Sequence, residues 1–164
     1  LSKGSDTAVM ILDEDITPGK IRNTALGLLT GREFSRFELE AKLRKSYDNN
    51  ELINVVLDKL VKDGLQCDYR YSGAFVRSRV VRGHGPARIR LDIAQKGIDG
   101  ALLLRVFQEE GVNWFALARD VAKKKFGNKR AVDNREISKR MRFLQYRGFD
   151  FDQIKYAISS SADQ

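Results

Sequence analysis

The chain has 164 residues and a formal charge of +8, from 30 Lys plus Arg against 22 Asp plus Glu. Its 42% hydrophobic and 32% charged residues can support a core, which excludes wholesale disorder. No apolar run approaches the roughly 18 residues of a membrane span, the single Cys67 excludes an internal disulfide, and the single His84 leaves no set for a zinc site or a His-dependent triad. Only two prolines occur, which favours helices. The N-terminus lacks the basic-then-apolar pattern of a secretory signal, so the expectation is a cytoplasmic helical protein with a polyanionic or acidic-faced partner.

Residues 1–16 stand apart as a flexible tail: Lys3 is their only base, and no helical period is sustained around Ala8-Val9-Met10-Ile11-Leu12. Thr17-Pro18 then reads as an N-cap with proline at the first helical position, followed by Ala25, Leu26, Leu28 and Leu29 and a closing Gly31. Ser35 with Glu38 forms a capping box for a helix that buries Leu39 and Leu43. Asp48 with Glu51 reads as a second box, opening a helix through Ile53, Val56, Leu57 and Leu60 that Gly64 ends.

The middle of the chain repeats this grammar. Asp68 is expected to cap a helix carrying Ala74, Phe75 and Val76 up to Gly83, and Gly85-Pro86 opens the next, which holds Ile89 and Ile93 and stops at Gly97. Asp99 starts a helix with Leu102, Leu103, Val106 and Phe107, closed by Gly111. Asn113 caps a seventh with Trp114, Leu117, Ala118 and Val121, ending at Gly127. Asp133 with Glu136 boxes an eighth that reaches Gly148, and Asp150 caps the last, with Ile154 and Ile158 inside.

Nine helices thus fall in three sets of three, and the period can be checked. The turn Lys45-Ser46-Tyr47 recurs as Lys96-Gly97-Ile98 and Arg147-Gly148-Phe149, each 51 residues on; the same step links Leu52, Leu103 and Ile154, and Val56, Phe107 and Ile158. Common two-helix repeats run near 34 residues, so this is a different unit. The expected fold is all-α: three tandem three-helix repeats at residues 17–66, 67–111 and 112–164, stacked into an elongated, curved array because each unit is too small for a strong core alone.

Charge is uneven along the array. Residues 17–68 carry nine bases against eight acids, whereas Arg70, Arg77, Arg79, Arg82, Arg88, Arg90 and Lys96 face only Asp92. Residues 119–147 hold eleven bases against Asp120, Asp133 and Glu136. Arginine forks grip carboxylates and phosphates at two points, so the middle set suits recognition, and like charges without a partner repel. Lys123-Lys124-Lys125 reads equally as a solvated helix face or as phosphate contacts.

Catalytic machinery is not visible. Gly83-His84-Gly85-Pro86 lacks the preceding strand and third glycine of a dinucleotide fingerprint and the Lys-Ser/Thr of a P-loop, so it reads as a tight connection with His84 an exposed turn residue. Cys67 reads as structural. Tyr69, Tyr71 and Phe75 read as core, with base stacking as the alternative. No catalytic residue, metal or cofactor is expected.

From Asp68 to Ile98 the chain resembles the RecX regulatory family. The likeness lies in Asp68-Tyr69-Arg70, in Ala74-Phe75-Val76-Arg77-Ser78-Arg79, in Arg82-Gly83-His84-Gly85-Pro86-Ala87-Arg88-Ile89-Arg90 and in Gln95-Lys96-Gly97-Ile98. Ser35–Leu43, Leu117–Gly127 and Arg142–Phe149 are similar to the family's outer units, so the resemblance spans Ile21 to Ile158. Ser46 stands where a glycine is usual, and Asp92 and Ile93 stand where Glu and Leu are commoner. The resemblance implies a monomeric, non-enzymatic regulator that binds RecA in its filament groove on DNA. It implies restraint of filament growth, ATP hydrolysis, strand exchange and co-protease activity, in recombination, DNA repair and the SOS response. Arg70, Arg77, Arg79, Arg82, Arg88, Arg90 and Lys96 are then the candidates for the filament, and Lys123, Lys124, Lys125, Arg140 and Arg142 for weak, non-specific contact with single- or double-stranded DNA. The rival reading is a sequence-indifferent helical DNA-binding protein acting without RecA.

Overall fold

A computed structural model of the chain describes residues 15–160, and among them every regular element is an α-helix. These are α1 (Pro18–Gly31), α2 (Arg36–Ser46), α3 (Asn50–Lys62), α4 (Asp68–Val81), α5 (Pro86–Ala94), α6 (Gly100–Glu110), α7 (Trp114–Phe126), α8 (Asn134–Tyr146) and α9 (Phe151–Ser159). The sequence reading of a flexible tail falls almost wholly on residues 1–14, outside the described ones; Ile16, just after them, is buried in the first core.

Caps set the helix starts. Thr17, Asp99, Asn113 and Asp150 each accept an amide from the first turn, and Ser35 with Glu38 closes a full box. Three expected caps differ. At α3 the cap is Asn49, whose Oδ1 accepts from Leu52 N at 3.1 Å; starting one residue late puts Glu51 too early to reach back, so the Asp48 box does not form. Asp68 lies inside α4, and its carboxylate accepts instead from the orphan N–H of Arg36 at the start of α2 (2.8 Å) and from Gln66 Nε2 (2.9 Å). At α8, Asp133 caps Glu136 N at 2.8 Å, while Glu136 reaches one residue further back to Val132 N at 3.0 Å.

The chain divides into two compact units, one ending at Asp68 and the other beginning at Tyr69. In the first, Ile53, Val56, Leu57 and Leu60 of α3 lie on one helical stripe and pack against Ile21, Ala25, Leu39 and Leu43. Each fully buried Leu or Ile there contributes roughly 1.5–3 kcal/mol by leaving water. Tyr47 joins this core while its hydroxyl donates to the Lys20 carbonyl at 3.2 Å. The second unit holds two apolar clusters. One gathers Tyr71, Val76, Ile89, Ile93, Ile98, Leu103, Val106 and Phe107, with Trp114 edge-on to Phe107 at 5.1 Å. The other gathers Ala118, Leu144, Phe149, Ile154 and Ala157.

The 51-residue period has a physical cause. Tyr47, Ile98 and Phe149 occupy the same turn of successive repeats and are 7%, 5% and 3% exposed, so each plugs its own apolar cluster just before the third helix of the repeat starts.

Candidate functional site

The tight turn after α4 is the joint on which the basic surface is built. Gly85 N donates to Arg147 O at 2.7 Å, Ala87 N donates to Gly148 O at 3.0 Å, and Arg147 Nη1 donates to Arg82 O at 2.9 Å. Backbone meets backbone so closely that a Cβ on Gly85 would lie 2.4 Å from the Gly148 carbonyl carbon. Gly148, at φ +95°, needs glycine twice over, because its own Cβ would lie 2.4 Å from Arg88 Cβ. The Gly83-His84-Gly85-Pro86 motif is therefore a weld between the α4–α5 and α8–α9 connections. His84 is buried inside it at 9% exposure, contrary to the exposed position expected, because the facing turn covers it. Burial first, and then the charges of Arg88, Arg79 and Arg147, hold its imidazole below the ordinary value, with Asp92 opposing them. Nδ1 has no hydrogen-bond partner among the described residues.

The middle arginines do not form one unneutralised patch. Arg77 is ion-paired with Glu110, an acid on α6 that lies beyond the basic stretch in sequence. Arg79 meets Asp92 at 3.1 Å and stacks over Phe75 at 4.5 Å, while Arg88 shares the same carboxylate at 3.8 Å and lies 5.3 Å from the Tyr146 ring. Arg90 is exposed over Phe107 at 5.6 Å. Arg70 is exposed in the first turn of α4, and Lys96 is half-buried after α5. Of the aromatics, Tyr71 is core, Phe75 is half-buried under Arg79, and Tyr69 is exposed with Arg105 over its ring at 4.8 Å.

Arg82, in contrast, is exposed and has no ion pair among the described residues. It sits on a groove of about 460 Å³ that also takes in Lys124 and Lys125 of α7. Two groups of cations far apart in the sequence are thus assembled at one place. Lys123 points elsewhere, into a smaller hollow of about 270 Å³ beside Arg119 and Asn128.

Arg140 is turned inward. Its side chain is only 6% exposed; Nη2 donates to Glu136 Oε1 at 2.7 Å, Nη1 to Lys129 O at 2.9 Å, and the guanidinium lies over Phe126 at 5.2 Å. Glu136 is correspondingly held below the usual carboxylate range, first by the Val132 amide and then by Arg140. Arg142 is exposed, and with Arg135 and Lys139 it makes a row on α8 at spacings that share one helical face. Arg135 and Lys139 were not among the sequence candidates, although their spacing could have found them. Among the described residues no three His, Cys, Asp or Glu side chains are grouped to hold a metal ion, Cys67 is a half-buried free thiol, and no helix is long and apolar enough to cross a membrane.

Three-helix units in tandem, with exposed cations gathered on the second unit, define a helical-repeat protein with a cationic surface. Residues 68–103 match the second three-helix domain of RecX, and residues 113–158 match its third. The chain is 43% identical to the regulatory protein RecX of Pseudomonas putida over 143 residues, covering 87% of this chain and 92% of that protein, and equally similar to that of Pseudomonas syringae pv. tomato. It is 39% identical to the RecX of Vibrio vulnificus over 142 residues, covering 86% and 92%. In fold it matches the crystal structure of RecX from Lactobacillus salivarius, with a TM-score of 0.75 at 24% identity over 88% of this chain and 96% of that one. The chain belongs to the RecX family of regulatory proteins.

Proposed function

We propose that this chain binds the RecA recombinase on its DNA filament, acting as a cytoplasmic monomer that restrains filament growth and the ATP hydrolysis, strand exchange and co-protease activity that depend on it. It does so by occupancy, performing no chemistry. The observation that carries the reading is membership of the RecX family along 87% of the chain. The cationic surface supports it. Arg82 with Lys124 and Lys125 is an exposed cluster that suits a protein face, and Arg90, Arg70 and Lys96 remain further candidates for it. Arg77, Arg79 and Arg88 are held in internal pairs and serve mainly to shape the unit. DNA phosphate is met by Lys123 and by the α8 row Arg135, Lys139 and Arg142, electrostatically and without preference for sequence.

The test is RecA-dependent ATP hydrolysis on single-stranded DNA with substoichiometric addition of this protein. Inhibition at amounts too small to coat the DNA is expected. Inhibition only at amounts that saturate the DNA would favour the rival, a helical DNA-binding protein acting alone, which the α8 row supports.

A further inference from the structure

Arg82, Lys124 and Lys125 stand around an apolar floor, and that combination says more than the cations alone. The floor is made by the half-buried side chains of Val80, Leu117, Val121 and Phe143, from α4, α7 and α8. Val81, at the last turn of α4, is 88% exposed at its edge. The groove's volume of about 460 Å³ falls within the roughly 300–1,000 Å³ of clefts that hold a ligand-sized group.

Its charge is unbalanced. Among the described residues Asp120 is the only acid lining it, and that carboxylate lies 3.6 Å from Arg119 Nε. Arg147 is engaged, donating to Arg82 O at 2.9 Å and lying over Phe143 at 5.1 Å. Arg82, Lys124 and Lys125 have no ion pair among the described residues. Three cations around an apolar cleft repel one another, and carboxylates from outside would relieve that repulsion where water is partly excluded.

We propose that this groove is a docking site for an acidic segment of the partner protein, which seats an apolar side chain against Val81 and Val121 while its flanking carboxylates meet Arg82, Lys124 and Lys125. The inference rests on the RecA reading and names the part of this chain that would take the recombinase. A nucleic-acid strand fits the groove less well. Phosphates have no use for four aliphatic and aromatic side chains, and the groove's ring, Phe143, is already covered by Lys125 at 5.6 Å, Arg147 at 5.1 Å and the edge of Phe126 at 5.3 Å, leaving no open face on which a base could stack.

The experiment measures anisotropy of the fluorescently labelled chain on RecA filaments formed on oligo(dT), and on oligo(dT) without RecA, at one salt concentration. Variants are Val81→Asp, Val81→Leu, Arg82→Glu and the double Lys124→Glu, Lys125→Glu, with Leu104→Asp as a control at an exposed position of α6 away from the groove. All alter exposed side chains, so each should fold, and melting and helicity check that each does. Val81→Asp, Arg82→Glu and the lysine double variant should each weaken filament binding about tenfold or more, while Val81→Leu and Leu104→Asp stay close to wild type. Binding of Val81→Asp to DNA alone should change by less than about twofold, since Val81 is not among the residues assigned to phosphate and the field of one exposed carboxylate is screened by salt. Filament binding of Val81→Asp equal to wild type would overturn the groove and leave the RecA reading standing. So would a lysine variant that weakens filament and DNA binding equally while Val81→Asp weakens neither, for the groove would then be a phosphate track. Absence of filament binding by the wild-type chain would overturn both readings.

Discussion

Replacing Gly85 with alanine isolates the weld beneath the candidate surface. Gly85 has φ −81° and ψ 170°, a conformation open to any residue, so the substitution carries no backbone strain of its own. The added methyl carbon would lie 2.4 Å from Gly148 C and 2.5 Å from both Gly148 O and Phe149 N. Carbon contacts are comfortable only near 3.5–4.0 Å, so the two turns must part by about 1 Å. That separation stretches two backbone bonds, Gly85 N to Arg147 O and Ala87 N to Gly148 O, past useful length. Each is worth about 1 kcal/mol net, and the residual overpacking adds about 1–3 kcal/mol, giving a loss of roughly 3–5 kcal/mol. Trp114, the only tryptophan, packs on Phe107 within the same compact unit and reports its unfolding. Guanidinium denaturation followed by Trp114 fluorescence should therefore show a clearly lower midpoint with an unchanged slope. A midpoint equal to that of the wild type would refute the weld.

Gly27→Ala provides the opposite sign: it lies inside α1, nothing stands within 4 Å of the added carbon, and stability should rise by about 0.5–1 kcal/mol in thermal denaturation followed by circular dichroism. Arg140→Ala should cost about 2 kcal/mol or more by stranding Glu136 and uncovering Phe126, whereas Arg142→Ala should stay within about 0.5 kcal/mol; denaturant midpoints compare them. Because burial lowers the proton affinity of His84, the unfolded chain binds that proton more readily, so stability is full above the ordinary imidazole value of 6.5 and declines as pH falls below it. His84→Gln should remove that decline in melting curves taken between about pH 7 and pH 5, before the carboxylates of Glu136 and Asp63, both held below their ordinary values, titrate. Replacing Arg135, Lys139 and Arg142 together by alanine should weaken binding to all single-stranded sequences alike and reduce the log–log salt slope by about 2, at about 0.7 for each phosphate left unneutralised.

Local chemistry carried much of this molecule in its sequence. A cap residue acts within one turn and a glycine at positive φ acts at one position, so Thr17, Ser35, Asp99, Asn113 and Asp150 and the turns at Gly64, Gly97 and Gly111 could be read where they stand. The repeat was legible for the same reason: Tyr47, Ile98 and Phe149 do one job in three places. Where two caps compete within a residue, as Asp48 and Asn49 do, the start of the helix decides, and packing of α3 sets that start.

The surface was a different matter, because a charge acquires its role from what lies across space. Glu110 is 33 residues from Arg77 in the chain yet neutralises it, Asp92 serves both Arg79 and Arg88, and Arg140 turns inward to Glu136 and Lys129. Conversely, Arg82 and Lys124 share one groove although two whole helices and most of a third separate them in the sequence. Charge density along the chain marks the basic units but does not tell a paired arginine from a free one. The bringing together of Arg82 and Lys124 goes with the approach of Gly85 to Gly148, which joins the turn after α4 to the α8–α9 turn: hydrogen bonds and steric contact between distant backbones have no period, no composition and no spacing by which a sequence could announce them.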